Sequence, residues 1–157
     1  RLVRPVDILT DALASHSRRA DALRMRLELQ ADSELPEVWL DPVQIGVVLR
    51  NLLANALDAA SHAAQAGQVQ VAARLEGSFL RIDVTDNGAG VDPARLATLF
   101  EPGPSDKPGA MGVGLSICRA IVEAHGGRLW VQPAKGGCFC FTIPLDSGDA
   151  QETDDER

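Results

Sequence analysis

The sequence QVQVAARLEGSFLRIDVTDNGAGV, residues 68–91, contains two apolar runs of period two separated by Gly77 and Ser78. This pattern predicts two strands joined as a tight antiparallel hairpin. The apolar side chains that share a face within each strand are Val69, Val71, Ala73 and Leu75 in the first, and Leu80, Ile82 and Val84 in the second. Asp86 continues the alternation of the second strand, so its carboxylate is predicted to point to the buried side.

A carboxylate on the buried side needs a hydrogen-bond donor, since an unpaired buried charge costs several kcal/mol. The exocyclic amine of a purine is one candidate donor. Gly88 and Gly90 follow directly, and glycine lets the backbone approach a flat ring closely. The alternative is a structural Asp-Asn-Gly turn, for which this tripeptide is well suited.

Helical and strand patterns extend on both sides of the hairpin. In chain order they are a broken helical stripe over 6–23, strands over 24–30 and 37–40, a long helix from the N-cap Asp41 towards Gly67, the hairpin, a short helix over 92–100, a helix over 114–125 and strands over 128–133 and 138–145. Most strand neighbours are joined by hairpin-length connections. The predicted fold is therefore a two-layer α/β (α+β) sandwich, with a mixed, mostly antiparallel sheet and helices packed on one face.

Composition indicates a single domain with an acidic tail. The chain has 157 residues and a net charge of −7, and residues 146–157 hold six acids and one Arg. The remainder is nearly neutral and has no basic stripe, so we expect no nucleic-acid partner. No apolar run is long enough to span a membrane, and we expect no direct membrane contact. Three cysteines without zinc spacing favour a reducing compartment, and we expect a cytoplasmic location.

Two further polar features lie on the predicted helices. Asn51 and Asn55 are one turn apart on the long helix, so their amides share a face. They form either a solvated helix edge or a pair of oxygen ligands for a hard cation such as Mg²⁺. Gly112 and Gly114 stand just before the last helix, where free backbone N–H groups bind anions. The Gly-x-Gly pattern alone is weak evidence, and it fits neither a Rossmann fingerprint nor a Walker loop.

Four motifs occur in this order: NLLANALDAA, DNGAG, LFEP and MGVGLSICRAIVEAHGG. Together they closely resemble the N box, first glycine box, F box and second glycine box of the sensor histidine kinases. The chain looks like the catalytic ATP-binding domain of that family, which belongs to the superfamily of gyrase, the heat-shock-90 chaperones and MutL. The resemblance implies the Bergerat ATP-binding fold over residues 6–145, followed by a disordered acidic tail over 146–157.

The resemblance implies ATP and Mg²⁺ as cofactors and a role for each matching position. Asp86 would accept a hydrogen bond from the adenine amino group, and Asn55 would be the principal Mg²⁺ ligand, with Asn51 supporting phosphate or metal. The other implied nucleotide contacts are Gly88 and Gly90 in the adenine pocket, Gly112, Gly114 and Leu115 at the phosphates, Lys107 in the lid and Thr142 on the last strand. For Lys107 an exposed loop position, and for Thr142 core packing, are the alternatives. Residues 103–106 depart from the family pattern after LFEP, so the lid is the least secure part of the resemblance.

A histidine kinase also needs a phosphoacceptor histidine, which the family places in a helix before an acidic residue. His16, His62 and His125 all lack that context, and His125 is interpreted as a cation at a helix C-terminus. We therefore expect a protein histidine kinase domain that does not autophosphorylate by itself. Residues 1–5 would be the segment that leaves an upstream dimerisation and phosphoacceptor domain, and a response regulator receiver domain would be the later partner.

Three other functions share parts of this pattern. Gyrase-like or MutL-like clamps that hydrolyse ATP place a Glu four residues before the metal-binding Asn, where this chain has Asn51, a poor general base. A serine kinase of the anti-sigma type shares the fold without a histidine acceptor. A degenerate domain that binds no nucleotide would serve only as an interaction surface.

Overall fold

A computed structural model describes residues 1–101 and 111–145, with the backbone alone for residues 111–113. The elements are β1 (Leu2–Val3), α1 (Pro5–Ala14), α2 (Ser17–Ala22), β2 (Arg26–Ala31), β3 (Val38–Trp39), α3 (Pro42–Ser61), β4 (Gln68–Glu76), β5 (Phe79–Asp86), a 3₁₀ helix (Pro93–Thr98), α4 (Met111–Ala124), β6 (Leu129–Val131) and β7 (Cys138–Pro144). Within these described ranges, no helix is long and apolar enough to cross a membrane.

Five strands form one sheet in the order β2-β4-β5-β7-β6. Only β2 and β4 pair in parallel, and the other three pairs are antiparallel. The predicted hairpin is confirmed: β4 and β5 pair from Val69 opposite Asp86 to Glu76 opposite Phe79, and Gly77 turns the chain with φ of 60°. A positive φ at this position suits glycine, since it has no Cβ to clash.

The helices pack on one face of this sheet, and the core lies between the two layers. Helix α3 supplies its central part, because Leu49, Leu52 and Leu53 are fully buried. They meet the inward side chains of the two central strands, among them Leu80 and Phe141. The predicted two-layer sandwich, with a mixed and mostly antiparallel sheet, is therefore confirmed.

Capping explains where α3 begins. Pro42 occupies its first turn, and the Asp41 carboxylate accepts hydrogen bonds from the N–H groups of Val43 and Gln44 at 2.9 and 3.2 Å. These bonds satisfy N–H groups that have no partner inside the helix. The predicted helix start is therefore correct.

The end of α3 differs from the prediction. The helix stops at Ser61, six residues before Gly67. The carbonyls of Ala66 and Gly67 accept hydrogen bonds from the Asn87 side chain and the Arg26 N–H. Tertiary bonds to the neighbouring strands thus replace the last predicted turn.

The N-terminal residues are also part of the domain. The predicted strand over 37–40 is shortened to β3, which pairs with β1 in a separate two-stranded sheet. Val3 is buried, and the Arg1 carbonyl accepts a hydrogen bond from the Leu40 N–H. Residues 1–5, predicted as a segment that leaves another domain, therefore pack against this one. The acidic tail over 146–157 lies outside the described residues.

Candidate functional site

Asp86 is a buried carboxylate at the end of β5, with 6% of its surface exposed. Its Oδ1 accepts two hydrogen bonds, from the N–H of Gly88 at 2.8 Å and the N–H of Gly137 at 3.1 Å. No residue of the described part donates a hydrogen bond to Oδ2. Burial raises the pKa of Asp86, and the two N–H groups only partly oppose that effect. One oxygen of a buried acid thus remains available to a ligand.

Backbone packs directly against this carboxylate. A Cβ on Gly137 would lie 2.4 Å from Asp86 Oδ2, and a Cβ on Gly136 would lie 1.9 Å from the Asp86 carbonyl oxygen. On the other side, a Cβ on Gly88 would lie 2.6 Å from the carbonyl oxygen of Ala59 in α3. These approaches are too close for any side chain, so glycine is required at all three positions. Gly90 also packs against the loop before β7, where a Cβ on it would lie 3.2 Å from the Lys135 carbonyl oxygen.

Helix α3 connects this carboxylate to the start of α4. Asn51, Asn55 and Ala59 follow one another at every fourth residue, and all three are half-buried. They form a continuous stripe of about 12 Å, given the rise of 1.5 Å per residue. Gly88 touches the Ala59 end of the stripe, and Gly114 touches the Asn51 end. An acceptor for a base and donors for an anion therefore lie at opposite ends of one helix face.

Asn51 is held in place by α4. A Cβ on Gly114 would lie 3.3 Å from Asn51 Oδ1, so the two helices meet closely here. The buried Cys118 thiol of α4 donates to the Val48 carbonyl of α3 at 3.9 Å, and burial raises the pKa of this thiol to about 11. At neutral pH this thiol is protonated. The close approach of Gly114 thus packs Asn51 against α4.

The glycines of the last helix lie inside it, contrary to the prediction that they precede it. Helix α4 starts at Met111, so Gly112 and Gly114 both belong to its first turn. N–H groups of a first turn lack intrahelical acceptors, and the positions keep their capacity to bind an anion. Leu115 is fully buried, so its side chain belongs to the core. Lys107 lies outside the described residues.

Thr142 does not join the other predicted site residues. It pairs with Arg81, five positions before Asp86 on β5. Its hydroxyl accepts a hydrogen bond from the Arg128 N–H at 3.2 Å. The β7 residues nearest Asp86 are Gly137 and Cys138, since Cys138 pairs with Thr85. Thr142 therefore lies at the end of β7 that is far from Asp86, contrary to the prediction that it contacts adenine.

His125 was predicted to be a cation, and its hydrogen bonds show a neutral ring. Nε2 accepts a hydrogen bond from the Asp41 N–H at 3.1 Å, so this nitrogen carries no proton. Nδ1 lies 2.9 Å from the Ile121 carbonyl and donates to it. The ring thus links the end of α4 to the start of α3.

Three structural supports of the site are not among the predicted site residues. Two of them are Gly136 and Gly137, and a pair of glycines just before a strand is a sequence signal for close backbone approach. Asn87 was read only as a turn residue. Its side chain accepts from the Gln68 N–H at 2.8 Å and donates to the Ala66 carbonyl at 2.7 Å, which fixes the loop after Asp86.

A cavity of about 440 Å³ lies elsewhere, between α4 and the edge strand β6. Arg119, Glu123 and Trp130 are among its lining residues, and none of the predicted site residues lines it. The chemistry of Asp86 and the asparagines, rather than cavity size, therefore identifies the candidate site.

This arrangement defines a class of protein: an α/β sandwich that can hold a purine against a buried acid and phosphates along a helix face. The profile of the family described as "Histidine kinase-, DNA gyrase B-, and HSP90-like ATPase" matches residues 40–147. The chain belongs to this family. Its domain is an ATP-binding kinase domain of the sensor histidine kinase type.

Individual relatives agree with this assignment. The alginate biosynthesis sensor protein KinB of Pseudomonas aeruginosa is 38% identical over 144 residues, which cover 89% of this chain and 24% of KinB. The catalytic domain of histidine kinase ThkA superposes with a TM-score of 0.83 at 25% identity, covering 92% of this chain and 95% of that one. The chain thus spans about a quarter of KinB but nearly all of an isolated catalytic domain.

Two solved complexes are also similar. Full-length ShkA in complex with AMPPNP has a TM-score of 0.80 at 28% identity, over 92% of this chain and 31% of that one. ThkA in complex with the response regulator protein TrrA has a TM-score of 0.80 at 23% identity, over 94% of this chain and 42% of that one.

Proposed function

We propose that this domain binds Mg-ATP along α3 and transfers the γ-phosphoryl group to a histidine on a separate dimerisation domain. The observation that carries the proposal is the buried Asp86 carboxylate, whose Oδ1 is held by two N–H groups while Oδ2 receives no donor from a described residue. A purine amino group would supply that donor. Asp86 would then recognise adenine through a hydrogen bond from its amino group and not through an ion pair.

Phosphates and metal fit the other end of the same face. Asn55 has a half-buried amide one turn from Asn51, and amide oxygens suit Mg²⁺, which takes its other ligands from phosphates and water. In this proposal Asn55 holds the metal and Asn51, packed against α4, supports it. The bound Mg²⁺ would neutralise charge that develops on the phosphates. The first turn of α4, with Gly112 and Gly114, would receive the phosphate oxygens.

Catalysis by this domain would consist of positioning and charge neutralisation, as is usual for phosphoryl transfer. The acceptor would be an imidazole nitrogen, which forms the new N–P bond. The bond between the γ-phosphorus and the oxygen that bridges the β- and γ-phosphates of ATP breaks at the same time, and ADP leaves. None of His16, His62 and His125 has the expected acceptor context, and His125 already uses both nitrogens. The acceptor histidine therefore belongs to another segment or polypeptide.

The later partner in this proposal is the receiver domain of a response regulator. The ThkA complex with TrrA supports such a partner, and so does the sensor protein KinB. A cytoplasmic location agrees with ATP use and with the three unpaired cysteines. Asn51 stands where hydrolysing relatives need an acid, which favours transfer over rapid hydrolysis.

Calorimetric titration with a non-hydrolysable ATP analogue, with and without Mg²⁺, tests the proposal. We expect saturable binding that Mg²⁺ strengthens, and we expect Asn55→Ala to reduce affinity about tenfold with Mg²⁺ and little without it, since it removes a metal ligand. Ser61→Ala is the matched control, because Ser61 is an exposed neutral residue of the same helix. Equal loss with and without the metal would reject the ligand role of Asn55.

A transfer assay tests the chemistry. The domain, with radiolabelled ATP and a histidine-containing dimerisation domain of a related kinase, should label the acceptor protein. The label should be lost in acid and kept in base, because phosphohistidine is acid-labile. An acid-stable label would instead indicate a serine kinase, and absence of nucleotide binding by the folded chain would indicate a degenerate domain.

A further inference from the structure

Two cysteine thiols lie side by side on the face of the sheet opposite the helices. Cys138 and Cys140 alternate with the inward-facing Phe139 on β7, and their sulfur atoms are 3.7 Å apart. Cys140 is fully buried, and Cys138 retains 6% exposure. The separation of the two sulfurs is a hydrogen-bond distance, with no disulfide between them.

Polar side chains surround these thiols. Arg81 Nη2 is 3.6 Å from Cys140 Sγ, and the Thr85 hydroxyl is 3.6 Å from Cys138 Sγ. The Cys140 thiol hydrogen-bonds to the Cys138 sulfur, which lowers the pKa of Cys138 and raises that of Cys140. The hydrogen bond with Thr85 and the Arg81 cation also favour a thiolate at Cys138, whereas burial and the Asp83 carboxylate oppose it. Thiolates, and not thiols, are the nucleophiles of cysteine chemistry.

The residue before Cys138 holds the candidate site. The Gly137 N–H donates to Asp86 Oδ1, and its carbonyl accepts from the Asp86 N–H at 2.9 Å. Cys138 itself pairs with Thr85, the residue before Asp86. A change in β7 at Cys138 would therefore move the backbone that positions the acid.

We propose that Cys138 and Cys140 are a peroxide-sensitive dithiol whose oxidation to a disulfide releases Gly137 from Asp86 and weakens nucleotide binding. Residues two apart in a strand have Cα atoms about 6.7 Å apart, whereas disulfides favour about 5.5–6 Å. Closing the bond would shorten β7 between the two residues. Because about 6.7 Å is the upper end of the separations that disulfides adopt, we expect the bond to draw the two residues together and to shift Gly137 relative to Asp86.

The chemistry balances with hydrogen peroxide as the oxidant. The Cys138 thiolate attacks one peroxide oxygen, the O–O bond breaks, and protonation of the leaving hydroxide gives water and a sulfenic acid. The Cys140 sulfur then attacks the Cys138 sulfur, and the S–O bond breaks as a second water forms. Two thiols are oxidised and one peroxide is reduced. Cys138 is the more exposed residue of the pair, with 6% of its surface accessible, and hydrogen peroxide is a small oxidant.

The test compares reduced protein with protein treated with hydrogen peroxide. We expect the number of free thiols to fall from three to one, with a disulfide between Cys138 and Cys140 in the peptide map. Faster amide exchange at Gly137 should accompany it. The coupling to affinity rests on the proposed function: the oxidised protein should bind the ATP analogue about tenfold more weakly, since one hydrogen bond to the acid is lost. Dithiothreitol should restore both properties.

Variants identify the thiols that matter. Cys140→Ser should lose the intramolecular disulfide and the effect of peroxide on affinity. Cys118→Ala keeps the pair and should still respond, which makes it the control. Three thiols remaining after peroxide, or a disulfide that leaves Gly137 exchange and affinity unchanged, would overturn the proposal. If the reduced protein binds no nucleotide, the proposed function fails, while thiol number and Gly137 exchange still decide the oxidation.

Discussion

Asp86 and Arg81 are the two buried charged residues of the described part, and both lie on β5. Arg81 points to the outer face and donates to Asp83 at 2.9 Å, Glu76 at 2.9 Å and Gln132 at 2.6 Å. Its guanidinium also lies 5.1 Å from the Trp130 ring centre. The two acids raise the pKa of Arg81, Asp83 most of all. The Arg81 guanidinium thus donates to acceptors of the protein itself. Asp86, in contrast, keeps one oxygen that receives no hydrogen bond from the described residues.

This difference separates a structural charge from a ligand-binding one. A buried charge with a full set of partners contributes to the fold, because removing it leaves its partners unpaired. A buried charge with an incomplete set costs stability, which is typical of residues that serve a ligand. The same strand can carry both because its side chains alternate between faces.

The largest effect is expected for Arg81→Ala. The free energy of unfolding should fall by about 3 kcal/mol, because the largely buried Asp83 carboxylate would lose its partner. Nucleotide affinity of the folded molecules should change by no more than about twofold, since Arg81 faces away from Asp86. Urea denaturation and calorimetry measure the two quantities. Unchanged stability with a large loss of affinity would refute the structural assignment.

Asp86→Asn should have the opposite pattern. The amide can keep one oxygen for Gly88 and Gly137, but it presents an NH₂ donor to the adenine amino group in place of an acceptor. Affinity should fall about 100-fold or more, since a charged hydrogen bond is lost and two donors face each other. Stability should be kept or increased. A variant that unfolds at ordinary temperature would show that Asp86 is structural.

The pH dependence of stability checks the same residue. Its pKa is raised in the folded state, so folding is favoured by Asp86 below the pKa of the unfolded acid, and this contribution is lost as pH rises through the folded pKa. The free energy of unfolding of Asp86→Asn should therefore rise relative to that of the wild type as pH increases from acidic to neutral. A constant difference between the two unfolding free energies from about pH 4 to 7 would contradict this expectation.

The smallest effect is expected for His125→Ala. Both ring nitrogens have backbone partners, so this residue belongs with Arg81 as a fully paired side chain. Its removal should lower the free energy of unfolding by about 1 kcal/mol, with nucleotide affinity unchanged. The matched substitution His62→Ala, at an exposed position, should change neither quantity. Loss of affinity in His125→Ala alone would give the histidine a larger role than capping.

Local signals account for what the sequence could predict. The alternation of β4 and β5 and the Gly77 turn gave the hairpin, and Asp41 with Pro42 gave the start of α3. The burial of Asp86 followed from the same alternation. The motif order supplied the family, which the profile match confirms.

Contacts between distant segments account for the rest. Nothing near Asp86 indicates that Gly137, 51 residues later, would donate to it. The resemblance implies an adenine contact by Thr142, and the alternation of β7 could not correct it, because alternation shows which residues share a face but not the register of β7 against β5. The neutral ring of His125 depends on Asp41, 84 residues earlier. The shortened α3 likewise depends on Asn87 and Arg26.

The bond between His125 and Asp41 has a consequence for biosynthesis. The N–H of Asp41, the N-cap residue of the longest helix, has its acceptor only when a residue 84 positions later has been made. Contacts of such large sequence separation form slowly, because a long loop must be closed first. While these later residues are still being synthesised, α3 lacks the hydrogen bond from Asp41 to His125, and Asp86 lacks the hydrogen bond from Gly137. If Asp86 binds the nucleotide as proposed, a chain whose synthesis has not yet passed β7 would therefore have little capacity to hold ATP.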